Sequence, residues 1–162
     1  MSYPDPRYLR ETGEASAVYV PGDKPPDLKI GMSEARYIVK GEVTEGRFGL
    51  YRWDMAPGNP GAAPHFHRTI SESFYVLSGT VGLYNGAEWK DAAPGDFLYV
   101  PEGGIHGFRN SSSEPASILI LFAPGAAREP YFEGLAAVAM GKRQFTPEEY
   151  KAFCETHDNL FV

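Results

Sequence analysis

The sequence predicts an all-β domain on three observations. Short apolar and β-branched runs recur from residue 35 onward, turn residues separate them, and aromatic residues make up 14 % of the chain. The 18 Gly and 14 Pro favour strands broken by many turns over long helices. At 162 residues the chain fits one domain that can bury a hydrophobic core without disulfide staples.

Residues 1–34 contain YPDPR and VPGDKPPDLKIG, whose proline density resists both helix and central strand, so they read as an extended N-terminal arm. Such an arm is suited to pairing with a sheet edge in the same or a neighbouring subunit. Residues 35–123 carry the strand pattern: ARYIVKG, RFGLYRWDMAPG, ESFYVLSG, TVGLYNG, GDFLYVPEGG, HGFRN and ASILILFAPG. Their close, regular spacing is that of a sandwich or barrel. Residues 124–162 form a helical extension. There YFEGLAAVAM reads as an amphipathic helix closed by Gly141, and a second helix follows with Thr146 as its cap, Pro147 at its first position and Glu149 completing a capping box. Neither helix arranges residues for chemistry, and both are expected on the outside of the barrel.

Composition excludes several function classes. The 15 basic and 21 acidic side chains leave a formal charge of -6 with no Lys/Arg cluster, so nucleic acid and anionic membrane surfaces are not expected partners. No run of about 18 apolar residues is present for a transmembrane helix. The lone Cys154 cannot form an internal disulfide, and the N-terminus has neither a basic start nor an apolar stretch, which together predict a reduced, cytoplasmic protein. Cys154 reads as a packing residue.

The chemistry concentrates in PHFHRTISESFYVLSG, residues 64–79. On a strand His65 and His67 point the same way, and RTIS reads as the turn into a strand whose antiparallel return brings Glu72 beside them. In GDFLYVPEGGIHGFRN, Pro101 ends one strand, Gly103 permits a tight reversal, and His106 starts the next strand aimed inward. Three imidazoles and one carboxylate form a donor set for one divalent transition metal: Fe, Mn, Ni, Co, Cu or Zn. Phe74 shares the parity of Glu72, and Phe108 that of His106, so both are candidates for the pocket wall. Tyr51, Trp53 and Met55 share one strand face of undetermined direction. Arg52 and Arg68 read as exposed, with orientation of an anionic substrate as the alternative, and His157 reads as a surface or satisfied core histidine.

At these residues the sequence resembles the cupin superfamily. His65, His67, Glu72 and Gly79 fit its first motif, and Gly95, Pro101, Gly103, His106 and Asn110 fit all five positions of its second. One departure is Asn59, where the first motif has a glycine, with Gly58 and Gly61 on either side. The resemblance, to small single-domain cupins similar to quercetin dioxygenase-like cupin-2 proteins, implies a jelly-roll barrel (double-stranded β-helix) with an interior metal and a homodimer. It also implies a small-molecule substrate or ligand. The favoured reading is a metal-dependent dioxygenase acting on an aromatic or enolisable compound, with Glu72 as a ligand that also accepts a substrate proton. An oxygen-independent isomerase or cyclase and a non-enzymatic binding module are the alternatives.

Overall fold

The computed structural model describes residues 2–162. Its strands are β1 (Leu28–Ile30), β2 (Ser33–Val39), β3 (Gly49–Met55), β4 (Asn59–Phe66), β5 (Ser71–Ser78), β6 (Val81–Tyr84), β7 (Trp89–Ala92), β8 (Phe97–Val100), β9 (His106–Asn110), β10 (Ala116–Ala123) and β11 (Leu160–Phe161). Two helices, α1 (Glu129–Ala139) and α2 (Pro147–Thr156), lie between β10 and β11. Among the described residues the strands form two antiparallel sheets, ordered β1-β2-β3-β10-β5-β8 and β11-β4-β9-β6-β7. This is the jelly-roll arrangement the sequence predicts.

Period-two alternation decides which side chains fill the space between the sheets. On β3, Tyr51, Trp53 and Met55 are buried while Leu50, Arg52 and Asp54 face the other way, half-buried. Tyr51 packs edge-to-face on Phe122 at 5.7 Å and on Phe132 at 5.4 Å, and Trp53 meets Phe132 at 4.9 Å. Burying each such side chain contributes roughly 1.5–3 kcal/mol, so this aromatic cluster ties α1 to the β3 and β10 faces.

The arm is largely exposed and irregular through residue 27, and strand structure begins at Leu28, ahead of residue 35. The reason is local: the proline-rich stretch ends at Pro26, which frees β1 to pair with β2 through Leu28↔Ala35. The second helix carries the expected capping box, with the Thr146 hydroxyl accepting from the Glu149 amide and the Glu149 carboxylate accepting from the Thr146 amide. The helices do not simply cover the outside. Helix α1 presents Tyr131, Phe132 and Leu135 to a cavity, and the chain after α2 returns as β11 to pair with β4. No helix among the described residues is long and apolar enough to cross a membrane.

Candidate metal centre and its cavity

His65 on β4 and His106 on β9 are register partners, so adjacent strands of one sheet carry both imidazoles, with ring centroids 4.3 Å apart. His67 follows the end of β4, its ring 5.0 Å from His65 and 5.3 Å from His106. Glu72 belongs to the other sheet, on β5. Its Oε2 reaches across the gap to within 2.9 Å of His67 Nε2 and 2.7 Å of His106 Nε2. The hairpin expected from RTIS is therefore corrected: β4 and β5 do not pair. The chain crosses between sheets there, with Ile70 buried at the crossing, and β5 pairs with β10 and β8 instead.

Each imidazole is anchored at its other nitrogen. Nδ1 of His65 donates to the Ala63 carbonyl at 2.8 Å, Nδ1 of His106 to the Gly104 carbonyl at 2.9 Å, and Nδ1 of His67 to the Asp158 carbonyl. A neutral imidazole that donates from Nδ1 has its lone pair on Nε2. At His67 and His106 that lone pair meets a carboxylate oxygen, an acceptor facing an acceptor. An extra proton on one imidazole relieves the conflict, and so does a cation shared by all of them. One donor atom from each of the four buried residues lies within 4.8 Å of the others. Nitrogen and oxygen donors, preset lone pairs and carbonyl anchors behind the rings fit a divalent transition metal.

The electrostatics agree. Burial, followed by the neighbouring His106, pushes the His65 pKa down to about 4, so this imidazole is neutral near pH 7. Burial opposes ionisation of Glu72, but hydrogen bonds to His106 and His67 outweigh it and hold the carboxyl below its usual range. Burial lowers His106 as well, and the same bond to Glu72 outweighs it and raises its pKa.

The loop before His106 is shaped by Gly103, at φ +79, whose amide donates to the His67 carbonyl at 2.7 Å and links the two motifs. In the entry loop Asn59 is buried, donating to Ser33 Oγ at 2.8 Å and accepting from the Gly61 amide at 2.8 Å. Gly61, at φ +63, supplies the conformation that a side chain would forbid, because a Cβ would sit 1.8 Å from the Phe108 carbonyl oxygen. The departure at Asn59 thus changes the loop and leaves the histidines in place.

A cavity of about 560 Å³ is lined by His65 and Glu72 together with Trp53, Phe108, Phe122, Tyr131 and Phe132. Phe108 is on its wall. Phe74 is not: it is fully buried, paired with Ile120 and Leu98 in register and packed 5.8 Å from the His106 ring, so it supports the imidazole from within the core. Arg52 pairs with Asp54 away from the cavity, and Arg68 lies outside its lining. His157 caps α2, where its carbonyl accepts from Arg128 Nη1 at 2.5 Å.

Sequence reasoning missed three residues. Arg128 is buried on the cavity wall, Asn159 lies beside it, and the Asp158 carboxylate accepts from the Arg68 and Thr69 amides and the Thr69 hydroxyl. All three belong to the extension outside the motifs, where no spacing signal marks them.

Residues 51–122, which include all four candidate ligands, match the family described as the cupin domain. Over that segment the chain is similar to the cupin superfamily. The chain is 29 % identical to quercetin 2,3-dioxygenase of Bacillus subtilis (strain 168), over 79 % of its own length and 34 % of that protein's. It spans half or less of the length of the curated relatives it matches. Among solved structures it resembles a predicted oxalate decarboxylase from Thermotoga maritima, with TM-score 0.60 and 17 % identity, covering 67 % of this chain and 99 % of that one. It also resembles the polyketide cyclase RemF from Streptomyces resistomycificus, with TM-score 0.57 and 23 % identity, covering 70 % and 82 %. At these identities the likeness is one of fold.

Proposed function

We propose that this protein is a cupin-type, metal-dependent dioxygenase acting on an aromatic or enolisable small molecule. One observation carries the reading: a buried three-histidine, one-glutamate cluster borders an aromatic-walled cavity large enough for such a molecule. Similarity to a quercetin 2,3-dioxygenase supports it. His65, His67 and His106 would hold the ion through Nε2, with Glu72 as the fourth ligand. A redox-active ion bound there supplies oxygen chemistry, and a redox-inert one supplies polarisation of a carbonyl or enolate.

The chain's own residues do the rest. Glu72, on the cavity wall, is our candidate to take the proton from a substrate hydroxyl. Trp53, Phe108 and Phe132 offer aromatic faces and edges that orient a planar substrate and exclude water. We place the protein in the reducing cytoplasm as a homodimer. The reduced, buried Cys154 supports the first proposal, and an exposed aromatic strip on one sheet supports the second.

Oxygen uptake tests the function. Metal-free protein is reconstituted separately with Fe(II), Mn(II), Co(II) or Ni(II) and assayed over flavonols and 1,3-diketones. Uptake with at least one pair is expected, and none with any pair overturns the oxygenase reading. Turnover that persists without oxygen assigns the site to an isomerase or cyclase instead.

A further inference from the structure

Arg128 occupies the N-cap position of α1 but makes no capping hydrogen bond there. Its side chain turns to the cavity wall, and the residue is 3 % exposed. Nη1 donates to the His157 carbonyl and Nη2 to Asn159 Oδ1 at 3.3 Å, both neutral acceptors. Nε is buried with no hydrogen-bond partner. Among the described residues no carboxylate lies within ion-pair distance of this guanidinium, and its faces are covered by Tyr131 at 4.7 Å, Phe122 at 5.0 Å and Phe132 at 5.7 Å. Glu72, on the same cavity wall, is engaged by His67 and His106.

A buried cation with no carboxylate in contact is costly, and here Glu72 and Asp158 attract the guanidinium only from beyond ion-pair distance. A guanidinium that lines a cavity and holds only neutral acceptors is suited to an anionic oxygen, met through its Nη groups since the buried Nε has no surface open to the cavity. We infer that the cavity selects small molecules with an apolar planar body and one anionic oxygen group, a carboxylate or an enolate, and that Arg128 sets this preference. The inference rests on reading the cavity as the substrate pocket. It adds that charge as well as shape governs entry. A divalent ion held at His65, His67, Glu72 and His106 would leave that centre positive after the charge of Glu72, and Arg128 would add to it.

The test uses two probes of one shape, naphthalene-2-carboxylate and naphthalene-2-carboxamide, titrated calorimetrically into the zinc-loaded full chain. The wild type should bind the carboxylate about ten- to hundredfold more tightly. Arg128→Gln should cut that ratio by about tenfold or more while holding carboxamide affinity within about threefold, and Arg128→Lys should restore part of the preference. In parallel, an Arg128 guanidinium Nη–H resonance of the wild type should move downfield with the carboxylate and stay in place with the carboxamide. Equal affinity for the two probes, no carboxylate binding at millimolar concentration, an undiminished ratio in Arg128→Gln or an unmoved resonance each overturns the proposal. If Arg128→Gln does not fold, the resonance decides. Zinc content of the same samples reads the metal centre separately. Carboxylate preference without bound zinc sinks the metal reading alone, and bound zinc without preference sinks this one alone.

Discussion

At the scale of single residues, the carbonyls behind the three imidazoles matter as much as the imidazoles. Because Ala63, Gly104 and Asp158 fix Nδ1 as the donor, each Nε2 lone pair is set before an ion arrives. Replacing His65 or His106 with Ala should therefore remove most of the bound metal. Glu72→Gln keeps an oxygen donor and should lose less, and elemental analysis of purified variants checks the order. Asp158 offers a second prediction. Burial raises its pKa, but hydrogen bonds from the Thr69 hydroxyl and from the Arg68 and Thr69 amides outweigh that and lower it. A carboxylate with a lowered folded-state pKa contributes stability that is present above its ordinary value and lost as pH falls through the folded value. Asp158→Asn suits the same left-handed backbone, φ 54, and removes the charge. It should cost about 1–2 kcal/mol at neutral pH and flatten the loss of stability as pH falls below about 4, as read by urea midpoints.

At the scale of elements, the pairing of β4 with β9 positions two of the three histidines, and Gly61 allows it. A methyl at Gly61 would meet backbone on β9, which cannot yield without parting the strands. Gly61→Ala should cost more than about 2 kcal/mol, from left-handed strain plus overpacking, visible as a lower denaturant midpoint at unchanged slope. The helical extension was legible as elements: the capping box at Thr146 needs only residues three apart. Its place was not. That α1 walls the cavity and that β11 joins β4 are contacts between segments far apart in the chain, and an amphipathic helix reads the same whichever apolar surface it covers. Strands β7 and β11 are absent from the sequence reading: β7 carries Lys90 and Asp91 where an apolar run would mark a strand, and β11 is two residues long, too short for alternation to show.

At the scale of the whole molecule, one outer face stands apart. On β5 and β8 the register pairs Tyr75 with Phe97 and Ser73 with Tyr99, so Tyr75, Leu77, Phe97 and Tyr99 share the side opposite the buried Glu72, Phe74 and Val76. Phe97 is 63 % and Tyr99 57 % exposed, an apolar strip of the kind that marks an interface. The proposed homodimer places it there. Sedimentation of the wild type should give a dimer, and Phe97→Ser with Tyr99→Ser should shift it to monomer while metal content is unchanged. A wild-type monomer at micromolar concentration would refute the assembly.

The sequence alone determined the all-β class, the order of most strands, the capped second helix and the four candidate ligands. These follow from side-chain parity, turn residues and motif spacing, which act within a few residues. Only the tertiary structure decided that Glu72 meets the histidines across the gap between sheets, that Phe74 stands behind the cavity wall, and that Arg128 and Asn159 reach the cavity from the C-terminal extension. Local pattern fixes which face of its own element a residue occupies. Which elements then face each other is set by burying the shared apolar surface of the whole chain, and that sum no short window contains.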